Sequence, residues 1–150
     1  MDAIFDCAAK RELTAQEIAA IPAPPRAALA IRKTNMWDRV KARRDRVVAR
    51  SVTVGPLGTF DADAESRANI TGAVTMALIA QGAGQPFSIN WKLANNAIAT
   101  LNAAQMIAVG VAVGQHVAAT HANAQSLGIA IDAAATHQDL DAIDVAAGWP

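Results

Sequence analysis

The stretch NAAQMIAVGVAVGQHVAATHANAQSLGIAIDAAA, residues 102–135, decides the fold. Asn102 and Gln105 stand at capping-box spacing, which marks a helix start. Read every 3.5 residues, the stretch gives Met106, Gly110, Val113, Val117, Thr120, Ala124, Leu127, Ile131 and Ala134. That apolar seam is sustained over about four heptads. A neighbouring stripe of Ile107, Val111, Gly114 and Ala118 is apolar as well. The spacing therefore predicts one long helix, to about residue 135, with two sides to bury. Leu93–Ile131, thirty-nine residues, contains no Asp, Glu, Lys or Arg. A membrane-spanning helix needs about 20 mostly apolar residues. The clean run here is only Met106–Val113, bracketed by Gln105, Gln115, His116, Thr120 and His121. A buried or interface helix is expected, with no membrane.

The rest of the chain reads as a helical domain built around that helix. Its 150 residues suffice for one domain with a real core. Hydrophobic types make up 53%, yet aromatics are 4% and Tyr is absent, so small Ala dominates and close helix–helix contacts are favoured. Thr34 or Asn35 caps a predicted helix over about 36–50, with Met36, Val40 and Val47 near one face. Ser51–Val54 and Thr59–Phe60 flank the turn Gly55-Pro56-Leu57-Gly58 as a small hairpin. Asp61 or Asp63 caps a helix over 64–81, which Gly82, Gly84 and Pro86 end. Ile89, Trp91 and Leu93 alternate into a second hairpin. A two-residue Asn95-Asn96 turn sets Leu93 opposite Ile98 and Trp91 opposite Thr100. Thr136 and Asp139 restart a short helix. The predicted class is mainly α with two small β-hairpins (α+β).

An extended N-terminal arm precedes this domain. Thr14 and Glu17 have capping-box spacing, so a short helix over 15–21 is expected, stopped by Pro22, Pro24 and Pro25. The boundary falls between an arm, 1–35, and a domain, 36–150. Asp2 and Asp6 precede any basic residue, so no secretory signal is expected.

Charge is segregated although the formal net charge is zero. Residues 26–50 hold nine basic groups against Asp38 and Asp45, a net +7. Residues 61–150 hold two basic groups against seven acids, a net −5. A basic run can hold nucleic acid. Here no aromatic interleaving or known module accompanies it, so charge matching is the favoured reading.

No constellation predicts catalysis. Asp61, Asp63 and Glu65 sit at a helix start, where acids favour the dipole. His116 and His121 are five apart, off the three-or-four spacing that a helical metal pair needs. Cys7 is alone, which excludes a disulfide framework and a Cys-based zinc site. Gly82-Ala83-Gly84-Gln85 follows no strand and leads to no Lys-Ser/Thr, so it is no phosphate loop. No enzyme activity, cofactor or metal is expected.

Several segments carry a resemblance in order: the basic Val40–Arg46 followed by a hairpin, Phe60-Asp61-Ala62-Asp63-Ala64-Glu65-Ser66-Arg67, Ile89-Asn90-Trp91-Lys92 with its Asn-Asn turn, and the ending Gly148-Trp149-Pro150. Together they make residues 37–150 resemble a domain family of tailed bacteriophages and prophages, domain of unknown function 4376. The resemblance implies a structural virion protein, a small tail fibre or fibre-base component, made in the host cytoplasm and located in the tail. Its partners would be phage tail or adaptor proteins and copies of itself, in a trimer as in fibres generally. A tail-fibre assembly chaperone is the alternative, and a nucleic-acid-binding regulator using 39–50 the second. Ile4, Phe5, Ile18 and Ile21 are the candidate tail-docking residues. Met106, Gly110, Val113, Val117, Leu127 and Ile131 are the candidate self-association residues.

Overall fold

The structure, a computed structural model, describes residues 5–6, 11–12, 14–20 and 27–150. In chain order the elements are β1 (Phe5–Asp6), β2 (Arg11–Glu12), α1 (Ala15–Ala20), α2 (Leu29–Val48), β3 (Val52–Thr53), β4 (Thr59–Phe60), α3 (Ala64–Gly82), β5 (Ser88–Lys92), β6 (Ile98–Asn102), α4 (Ala103–Ala133) and α5 (His137–Asp141). The mainly α class with small antiparallel hairpins is observed. A further pair, β1 with β2, lies in the arm, where only extended chain and a helix are expected. The Pro22, Pro24 and Pro25 linker lies outside the described residues.

The 31-residue α4 is the spine. At 1.5 Å per residue it is about 46 Å long. Asn102 and Gln105 form the predicted capping box. Two core clusters sit along it in succession. In the first, Met106, Val109 and Val113 of α4 pack with Ile70, Ala73 and Ala77 of α3. Phe60 and Leu101 from the hairpins close that cluster. In the second, Ala124 and Ile131 pack with Met36 and Val40 of α2, and Leu140 of α5 completes it. Trp37 lies against Gly128 and Val47 O against His116, so α2 runs antiparallel to α4; α3, with Val74 against Gly110 and Arg67 reaching Val48 O beside His116, does so along the other half. Each buried aliphatic of this size contributes about 1.5–3 kcal/mol by transfer alone.

α2 begins seven residues before its predicted start. Thr34 and Asn35 read as caps, but Thr34 Oγ1 donates back to Ala30 O at 3.1 Å, a bond made inside a helix. The true N-cap, Ala28, makes no side-chain bond. Good helix formers, Ala28 and Leu29-Ala30 after it, carry the extension instead. The helix thus runs through the boundary drawn between 35 and 36.

The hairpin β3–β4 forms with Val52 opposite Phe60. Gly58, at φ 111°, is required there: a Cβ would lie 2.7 Å from Leu93 Cδ1. The β5–β6 register differs by one from expectation. Trp91 lies opposite Ala99 and Lys92 opposite Ile98. The loop has three residues, Ala94-Asn95-Asn96. Asn96 N–H donates to Leu93 O at 2.8 Å, and Asn96 itself takes φ 67°. That is a type I turn followed by a left-handed residue. The slip matters because one residue exchanges the faces of a strand. In the observed register Ile89, Trp91, Ala99 and Leu101 share the inner side, and Ile98 is 64% exposed.

Candidate functional site

Two segments distant in sequence meet in space. Asp61, Ser66 and Asn69, around the start of α3, form one wall of a cleft of about 400 Å³, and Ile89–Lys92 of β5 form the other. Asp63 caps the helix that forms the α3 wall. Its carboxylate accepts from Ser66 Oγ at 2.7 Å and from the N–H groups of Glu65 and Ser66. The Ser66 hydroxyl first, then the Ser66 N–H, holds the Asp63 carboxyl below its ordinary pKa. Asp61 accepts from Ser51 Oγ at 3.0 Å, and Asn90 Oδ1 accepts from Thr100 Oγ1 at 2.8 Å. Among the described residues Asn69 and Lys92 make no side-chain hydrogen bond or ion pair. Trp91 is half-buried: it packs on the first core cluster and also lines the cleft. Sequence reasoning assigned this cleft no role, although it singled out both walls.

The seam assigned to self-association lies against the chain's own helices. Met106 and Val113 are buried in the cluster with α3, and Ile131 in the cluster with α2. Leu127 is half-buried against the second cluster. Val117 and Gly110 line a groove of about 370 Å³ between α3 and α4, with Arg67 at its rim. A Cβ on Gly110 would stand 2.6 Å from Val74 Cγ2, so this glycine serves the α3 contact. Met106, Val113 and Ile131 are buried within the chain, whereas Gly110, Val117 and Leu127 keep part of their surface open. The apolar surface left open is elsewhere: Met76 at 60%, Ile79 at 60%, Leu78 on α3, and Val111 at 54% and Ile129 at 64% on α4. By length and composition alone α4 could cross a membrane.

Of the arm residues, Ile18 is exposed on α1. Phe5 lies in β1, where the backbone alone is described. Ile4 and Ile21 lie outside the described residues.

The basic run is largely matched at home. Arg32 bonds His137 Nδ1 at 2.9 Å and pairs with Asp141. Lys33 donates to Asp132 O at 2.8 Å, and Arg43 to Ala146 O at 3.2 Å. Lys41 pairs with Asp38 at 2.8 Å, and Arg44 with Asp45 at 2.7 Å. The three histidines are dispersed. His116 Nε2 lies 2.9 Å from Val47 O, His137 meets Arg32, and His121 is exposed. Among the described residues no group of three His, Cys, Asp or Glu is placed to hold a metal ion.

Fold and surface together define a helical packing module, a spine helix with two shorter helices laid along it. A family model described as "Domain of unknown function (DUF4376)" matches residues 31–147, most of the chain, and the protein belongs to that family. No curated protein and no solved structure matches it.

Proposed function

We propose that the protein is a non-enzymatic structural component of a tailed-phage virion, a small tail fibre or fibre-base protein. The observation that carries this reading is the open apolar surface of α3 and α4. α4 bears no charge before Asp132, and it buries one side on α2 and α3. Val111 and Ile129 stay more than half exposed, as do Met76 and Ile79 on α3. Large aliphatics left exposed along stretches that carry no charge of their own, 68–91 and 93–131, suit a protein–protein contact. Homo-oligomerisation, as a trimer, covers them, and the arm with exposed Ile18 contacts the tail. The role requires neither cofactor nor metal. The bonds that tie α2 to α4 and the C-terminal tail leave the basic run a structural role, which weighs against nucleic acid as partner. The packing of Met106 and Ile131 within the chain weighs against membrane insertion of α4.

Two measurements test the proposal. Light scattering of the full chain at micromolar concentration should give a trimer, and Val111→Asp should reduce it to monomer with its helical spectrum intact. A wild-type monomer would overturn the oligomer. Mass spectrometry of purified particles should find the chain in stoichiometric amount. Its presence only in infected-cell lysate would replace the fibre reading with an assembly chaperone.

A further inference from the structure

We infer that the cleft between the start of α3 and β5 is a binding site for a neutral sugar ring. This is independent of the virion reading, because it uses a different face of the molecule. The cleft's volume of about 400 Å³ lies in the range of small-molecule sites. Its chemistry selects the ligand. Asp61 and Lys92 face it with opposite charges, so neither an anion nor a cation is favoured overall. The polar groups left free are of both kinds: the Asn69 amide offers donors and an acceptor, Lys92 donors, and Asp61 acceptors. In the antiparallel ladder Leu93 N–H donates to Ala97 O at 2.9 Å. By alternation the N–H and C=O of Asn90 and Lys92 point to the other edge of β5, which β4 reaches only beyond them, where Ala94 N–H donates to Thr59 O at 2.9 Å. Those edge groups add further donors and acceptors at fixed positions. Trp91 supplies an apolar surface with a polar N–H.

A pyranose matches this set. Its hydroxyls both donate and accept, and its ring carries a patch of C–H groups that suits an indole. A strand from another chain matches less well, because Lys92 on the edge is a residue type that opposes edge-to-edge pairing.

The test is nuclear magnetic resonance of the full chain. The three tryptophan indole N–H signals are assigned with Trp37→Phe, Trp91→Phe and Trp149→Phe. Glucose, galactose, mannose and N-acetylglucosamine are titrated separately, with glycerol as control. At least one sugar should shift the Trp91 signal saturably in the millimolar range, leaving Trp37 and Trp149 in place. Asn69→Ala, at an exposed position, should weaken that sugar about tenfold with unchanged helical content. The inference is overturned if none of the four sugars moves Trp91, if glycerol moves it equally, or if Asn69→Ala binds as wild type.

Discussion

Along the first half of α4, Met106, Val109 and Val113 meet α3 in a cluster whose buried members are all apolar. Along the second half, Ala124 and Ile131 meet α2 and a C-terminal tail tied down by polar bonds. The tail closes over its cluster with Leu140, Ile143, Val145 and Trp149. Arg32 to His137 and Asp141, Arg43 to Ala146 O, and Asn123 to Ala147 O at 3.1 Å fasten it. Trp149 Nε1 donates to Val145 O at 3.0 Å. The first half closes chiefly by shape, with Arg67 donating to Val48 O at 3.2 Å at one end, and the second by a clasp. Apolar packing resists opening in proportion to the area buried, whereas exposed polar ties are individually weak. The second half should therefore open locally before the first.

Emptying either cluster has the largest effect. Met106→Ala and Ile131→Ala should each cost about 2–5 kcal/mol, read from denaturant unfolding. Hydrogen exchange separates the halves: Ile131→Ala should speed exchange in α2 and the tail more than in α3. Equal acceleration in all helices would show one cooperative unit and remove the distinction.

Glycines sharpen the comparison within the first half. Gly110→Ala drives a Cβ to 2.6 Å from Val74 Cγ2, and overpacking of this kind costs about 1–3 kcal/mol. Gly114→Ala, one turn on, meets nothing within 4 Å and should stabilise α4 by about 0.5–1 kcal/mol. Thermal melts giving both variants the same sign would contradict the close approach of α3. In the second half, Arg32→Ala loosens the clasp. The pair is 22% and 47% exposed at its two side chains, so global stability should fall by no more than about 1 kcal/mol. Exchange at α5 should nevertheless rise, whereas unaltered α5 protection would mean that the clasp holds nothing.

The contrast between halves was only partly legible in the residues. The α4 seam, the Asn102–Gln105 box, the caps Asp63 and Thr136, and the buried set Met36, Val40 and Val47 follow from local spacing. Local chemistry misled where two local solutions compete. Asn95-Asn96 suits a two-residue turn, but that register sets Ile98 and Thr100 on the face of Trp91 and leaves Leu101 on the other, and bringing Leu101 to the inner side with Trp91 selects the three-residue loop. Thr34 and Asn35 suit a cap, but the helix gains more by continuing to Leu29, which packs on the second cluster. The seam itself was legible while its partner was not: periodicity locates an apolar side without saying whether α2 and α3 or another chain covers it. The cleft lay beyond spacing rules altogether, because Asn69 and Trp91 come together only through the packing of a hairpin on a helix start.

Acid is the mildest way to probe the two halves, and it acts on both through one device. Asp63 caps α3 in the first half, and Asp139 closes the capping box of α5 in the second. Asp139 is held below the ordinary carboxylate value of 3.8 by the Thr136 side chain first, then by the Thr136 and Ala135 N–H groups. Asp63 is lowered in the same direction. A carboxyl depressed in the folded state releases its proton more readily there than in the unfolded chain. Its contribution to stability is therefore full above pH 3.8 and is lost as pH falls through the lower, folded value. Both groups are exposed, so the loss is small. Melting temperature should decline gently on acidification below pH 4. Asp63→Asn and Asp139→Asn should each flatten that decline, and the carboxyl carbon signals of both residues should titrate with midpoints under 3.8. The halves should still differ in what the lost cap releases. α3 is held by the apolar cluster and keeps its exchange protection. α5 has five residues, and loosening it also strains the Arg32–Asp141 tie, so its protection should fall first. Equal protection of α3 and α5 at pH 3 would mean that the clasp half is no weaker than the packed half.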